Sequence, residues 1–170
     1  MPLLINLLPL NTENFPIFAP MEQQTDFAQH YNHFIKTVSA SQQVYALQSS
    51  QGYATSRTNE YEDEEGESLE LICFWSDKAL ATACAVNAWK GYEPVAIKLA
   101  EFMESWCVGM YEEDIITGTD FNADLKGYEA EPLVLVNQLI AELTAIKSPI
   151  TFVNYTSLTD FATCLKEALA

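Results

Sequence analysis

Apolar residues recur at helical spacing over residues 22–39, where Phe27, Tyr31, Phe34, Ile35 and Val38 form one stripe. This stretch is predicted to be the first amphipathic helix. The period then shortens. In QQVYALQ (42–48), Val44 and Ala46 alternate with Tyr45 and Leu47, SSQG (49–52) is a turn, and GYATSRT (52–58) returns. The pair predicts a hairpin in which Gly52 supplies the permissive backbone. LELICFW (69–75) is apolar on both faces near its end, the pattern of a strand inside a sheet. A helix follows, with Ser76 as its cap, Asp77 in its first turn and Gly91 at its end.

Alternation resumes in YEPVAIKL (92–99), which Pro94 places at a sheet edge or a strand start. The helix LAEFMESW (99–106) turns Leu99, Phe102, Met103 and Trp106 inward and Glu101 and Glu104 to water, and Gly109 stops it. Ile115–Thr119 is a short strand, and GYEAEP (127–132) is a turn that leads into a helix over 132–146 with Pro132 in its first turn. That helix buries Leu133, Val136, Leu139, Ile140 and Leu143. ITFVNY (150–155) is predicted to be a strand, and a last helix buries Leu158, Phe161, Ala162 and Leu165. The order predicts an α+β single domain, a mostly antiparallel sheet with helices packed on one face.

Three segments are expected: an irregular arm over 1–20, the domain over 21–147, and a strand–helix extension over 148–170 packed on it. Pro2, Pro9, Pro16 and Pro20 break any regular element in the arm. Its apolar run is too short to cross a bilayer and lacks a preceding base, so neither a signal peptide nor a membrane span is expected and the cytoplasm is the default location. With Met21 directly after it, the arm can also be an upstream extension of the natural start, or a contact in a homodimer.

Composition supports a folded chain: 49% of the residues are apolar and 12% aromatic. Charge narrows the partners. With 24 acidic residues against 8 basic ones, the formal charge is −16, a field that repels nucleic acid and anionic membranes and attracts basic proteins. The acids concentrate in NEYEDEEGES (59–68), which has no base and is predicted to be a solvated loop; it lacks the spacing of a calcium loop. The cysteines, Cys73, Cys84, Cys107 and Cys164, form no C-x-x-C pair and fall in apolar patterns, so buried free thiols are expected. His30 and His33 lie three apart on the first helix without a third ligand at matching spacing, the pattern of a surface pair.

No nucleophile elbow, zinc-binding H-E-x-x-H, phosphate-binding loop or dinucleotide fingerprint is present. No cofactor and no metal are expected. The most pointed cluster is Trp75-Ser76-Asp77 at a strand-to-helix junction, with Trp106 and Asp120 at comparable element ends. Its structural reading is a capped helix beside packed indoles. Its functional reading is a shallow aromatic-and-acid pocket.

FWSD (74–77), YEPVAIKLAEFMESWCVGM (92–110) and GYEAEP (127–132) resemble the bacterial family known as domain of unknown function 2750, over about residues 24–145. Phe74, Trp75, Ser76, Trp106, Gly109, Glu131 and Pro132 carry the match. Val108 and Phe121 depart from it, where that family tends to have Pro and Trp. The resemblance implies a compact α+β domain and no assigned activity.

Charge, the unpaired acidic loop and the missing catalytic constellation together point to a non-enzymatic protein-binding module, an immunity-type protein against a basic toxin or nuclease being one form. Its expected face is Glu62, Asp63, Glu64, Glu65, Glu112, Glu113 and Asp114. The alternative is a small enzyme or ligand binder using Trp75, Ser76, Asp77, Trp106 and Asp120.

Overall fold

A computed structural model describes residues 21–170, with side chains from Asp26 onward. The expected arm over 1–20 lies outside the described residues. The chain forms α1 (Met21–Ser41), β1 (Gln43–Ser49), β2 (Gly52–Tyr53), β3 (Thr55–Glu62), β4 (Ser68–Phe74) and α2 (Lys78–Cys84). A 3-10 turn, Asn87–Trp89, leads to β5 (Glu93–Lys98). Then come α3 (Leu99–Glu101), a π-helical turn (Phe102–Trp106), α4 (Cys107–Glu112), β6 (Ile116–Thr119) and β7 (Tyr128–Ala130). α5 (Pro132–Ala145) and α6 (Leu158–Ala168) close the chain. This is an α+β fold.

The strands make two sheets, ordered β2-β1-β5 and β3-β4-β6-β7. Every pairing is antiparallel except β4 with β6, where Leu71 faces Ile116 and Phe74 faces Thr119 in parallel. A bridge joins the sheets, as Tyr45 and Trp75 exchange backbone bonds of 2.8 Å in both directions. β4 is internal to its sheet and β5 is an edge, as LELICFW and Pro94 predict.

The expected hairpin over 42–58 is only partly formed. β1 and β2 pair at two positions, and then Ala54 hands the chain over, donating to Leu47 O and accepting from Cys73 N, so that β3 joins β4 instead. β3 runs on to Glu62, which confines the acidic turn to residues 63–67.

Strand alternation divides the core. Phe74, Ile97 and Val44 point toward α1, α3, α4, α5 and α6, whereas Leu71, Cys73 and Trp75 point the other way, toward α2, Trp89 and Phe121. The larger helices therefore share one face, and α2 with the 3-10 turn covers the opposite one.

Three further expectations are corrected. Residues 150–155 form no strand. The extension packs by Phe152, Phe161 and Leu165, which belong to the same core cluster as α1 and α5. Gly109 does not stop its helix but lies inside α4, which runs to Glu112. Cys164 is exposed, while Cys73, Cys84 and Cys107 are buried thiols.

Candidate functional site

β4 and β6 run in the same direction, so the four-stranded sheet has two chemically distinct ends. The starts of both strands lie at one end. The parallel register puts the start of β6 at the same end of the sheet as the β3–β4 turn, and Glu112, Glu113 and Asp114 immediately precede that start. Glu62, Asp63, Glu64, Glu65, Glu112, Glu113 and Asp114 are all exposed. One of them also shapes the turn: an Asp63 carboxylate oxygen accepts from Glu65 N and Glu67 N, each at 2.9 Å. The nearest strand base, Arg57, donates to Ser68 O at 3.0 Å.

The other end holds the termini of β4 and β6, and here Ser76 meets Asp120. Asp120 Oδ1 accepts from Ser76 N at 2.7 Å and Oδ2 accepts from Ser76 Oγ at 2.8 Å. Burial raises the Asp120 pKa, against the lowering effect of the Ser76 bonds. The helix cap is Asp77, not Ser76: Asp77 Oδ1 accepts from Ala79 N at 2.7 Å, because Ser76 is already engaged by Asp120.

Trp75 is fully buried. Its indole N–H donates to Phe121 O at 2.9 Å, the oxygen that also accepts from the Cys84 thiol at 2.9 Å, and its ring meets Trp89 edge-on at 5.9 Å. Burial is the main cause that raises the Cys84 pKa. Trp106 is on the opposite face, edge-on to Tyr53 at 4.7 Å and to Phe74 at 5.6 Å. Phe74 ends β4 and Trp75 follows it directly in the bridge to Tyr45, and the two side chains belong to opposite core clusters. The five residues expected to share a pocket therefore separate. Ser76 and Asp120 meet directly, Asp77 caps α2, and the two indoles lie on different sides of the sheet.

A cleft of about 440 Å³ does open at this end, between α1, α2 and the β6–β7 connection. Asp120 lines it together with His30, His33 and Lys126. Both histidines are exposed, as a surface pair should be. Among the described residues, no group of three His, Cys, Asp or Glu is placed to hold a metal ion. None of the helices in this region is long and apolar enough to cross a membrane.

Two buried carboxylates have no counterpart in the sequence reading. Glu104, expected in water, is 8% exposed, and accepts from Val153 N at 2.9 Å and Asn154 N at 3.1 Å. The π-turn adds a residue to the helical repeat and rotates this side chain inward. Glu129, placed in a turn by the GYEAEP pattern, is instead in β7 and 5% exposed. It accepts from Asn59 N at 2.8 Å and Glu60 N at 3.1 Å, where the β3–β4 register shifts, and so ties together the two edge strands of the sheet. A Glu inside a short segment of otherwise apolar or aromatic residues was the available signal for Glu129. Glu104 had none, because regular helical periodicity points it outward.

These features define a small α+β protein with an acidic end and a cleft end, built on one parallel strand pair. The chain belongs to the family described as protein of unknown function (DUF2750), whose model matches residues 31–139. No curated protein and no solved structure matches it. α6 lies beyond the matched residues, although Phe161 and Leu165 complete the same core.

Proposed function

We propose that this protein is a non-catalytic binding module that receives a basic protein on the acidic end of its four-stranded sheet. A toxin or nuclease held inactive by the contact is the specific case. The observation that supports the reading is the parallel register of β4 and β6, which puts the start of β6, just after Glu112–Asp114, at the same end of the sheet as Glu62, Asp63, Glu64 and Glu65. Two acidic runs separated by some fifty residues of sequence thus lie toward the same end of the sheet, and in this reading they act as one surface. Such a surface acts mainly through long-range attraction, raising the association rate and making it salt-dependent. Aromatic or arginine anchors that fix affinity would then come from the partner.

The test compares the native chain with Glu62→Lys, Glu64→Lys, Glu65→Lys. Asp63 is left in place because its carboxylate holds the turn. Each protein is used as bait in source-cell lysate at low salt. The expected outcome is a basic species bound by the native chain, released by moderate salt and absent from the variant. Identical binding by both, or an association rate unchanged by the reversal at low salt, removes the reading.

A further inference from the structure

The cleft at the other end of the sheet has two unlike sides. Phe27, Leu80 and Phe121 give it an apolar wall, and Leu80 is 44% exposed, so this leucine is spent on the cleft rather than on the core. His30, His33 and Lys126 give it a polar one. The three elements are fixed independently. Phe27, His30 and His33 follow one another at three-residue steps along one edge of α1. Leu80 lies in α2, whose cap is Asp77. Lys126 ends a tight turn in which Asn122 N donates to Lys126 O at 2.8 Å and Lys126 N donates to Asn122 Oδ1 at 3.2 Å.

The remaining reactive groups here are already engaged. Both Asp120 oxygens accept from Ser76, which leaves that carboxylate a poor seat for a cation. The Cys84 thiol donates to Phe121 O, and its pKa is raised, so it is no nucleophile. What the cleft offers a ligand is an apolar wall and the donor side chains of His30, His33 and Lys126, with Asn122 and the Asp120 carboxylate also in its lining. Among the lining residues Lys126 is the formal cation and Asp120 the formal anion, so His30, His33 and Lys126 offer N–H donors rather than a net positive field. Pockets of roughly 300–1,000 Å³ with apolar walls and a few convergent polar groups are the usual form of small-molecule sites.

We propose that this cleft binds a small organic carboxylate: a flat apolar body lies against Phe27, Leu80 and Phe121, and its carboxylate meets His30, His33 and Lys126. The site is independent of the acidic end, and either can fail without the other.

The experiment titrates 2-naphthoate into the full chain by calorimetry at about 0.15 M ionic strength. 2-Naphthol and 2-naphthylmethylammonium, which keep the ring and change the charge, are run beside it. Naphthoate should bind at least about tenfold more tightly than either. His30→Gln, His33→Gln, Lys126→Gln, three changes at exposed positions that should leave the thermal midpoint in place, should remove that preference, and Leu80→Ser should weaken all three probes. Equal binding of the three probes, a preference for the ammonium, naphthoate binding indifferent to the triple variant, or no binding at millimolar concentration would each overturn the proposal.

Discussion

The two ends of the β4–β6 pair are made of the same kinds of residue and behave in opposite ways. At the strand starts the acids stand in water, and only Asp63 does structural work, within its own turn. At the strand ends an acid is drawn in: Asp120 binds Ser76, beside a backbone carbonyl, Phe121 O, that holds both an indole and a thiol. Exposed acids in high dielectric cost the fold little and act at a distance, whereas a partly buried acid must be satisfied by donors at short range. The lesson is that acid count alone does not tell which carboxylates belong to the scaffold. Local burial decides whether a carboxylate belongs to the surface field or to the scaffold.

The comparison breaks most severely at Gly127. A Cβ there would run into the Phe121 ring and come within 2.9 Å of Thr119 O and 3.0 Å of Phe121 Cα. Because two of those atoms are backbone, the strain cannot be relieved by a rotamer change. Gly127→Ala should destabilise by about 3 kcal/mol in urea unfolding. Gly118→Ala meets only side-chain atoms of Leu71 and Phe121 and should cost less. Equal stability of Gly127→Ala and the native chain would contradict the packing described for Phe121.

A smaller effect concerns pH. Burial raises the pKa of both Asp120 and Glu129. A carboxyl whose folded pKa exceeds its unfolded value binds more protons when folded, so stability falls as pH rises through the window between the two. Acidifying from neutrality into the ordinary carboxylate range should therefore stabilise the protein, and relief of repulsion among the acids adds to this. Asp120→Asn keeps an oxygen to accept from Ser76, and it suits the positive φ of 47° at this position. It should flatten the slope of thermal midpoint against pH. A variant slope as steep as the native one would remove Asp120 as a contributor.

The smallest effect lies at the acidic end. Glu62→Lys, Glu64→Lys, Glu65→Lys should leave unfolding free energy within about 0.5 kcal/mol of the native value, since these side chains are exposed and away from caps or core. A loss of several kcal/mol would show that the turn is part of the scaffold.

Much of this was legible in the sequence. LELICFW announced an internal strand and Pro94 an edge, and the stripe from Phe27 to Val38 announced α1, because each follows from a single local period. The shared pocket was not legible. Placing Trp75 and Trp106 together ignored that Phe74, not Trp75, faces the helix bearing Trp106. Glu104 was misread because a π-turn is invisible to a period of 3.6 residues. That the two acidic runs lie toward the same end of the sheet follows from the parallel β4–β6 register, a long-range pairing that no local pattern encodes. His30, His33 and Lys126 likewise share a cleft only because α1 crosses near the β6–β7 turn.

The most direct measurement of the central claim is amide hydrogen exchange on the native chain, free and saturated with the basic protein it captures. The account predicts new protection at residues 62–67 and 112–114 and unchanged exchange at 120–126. Protection confined to 120–126, or spread along α5 and α6 with the acidic end unaltered, would contradict it.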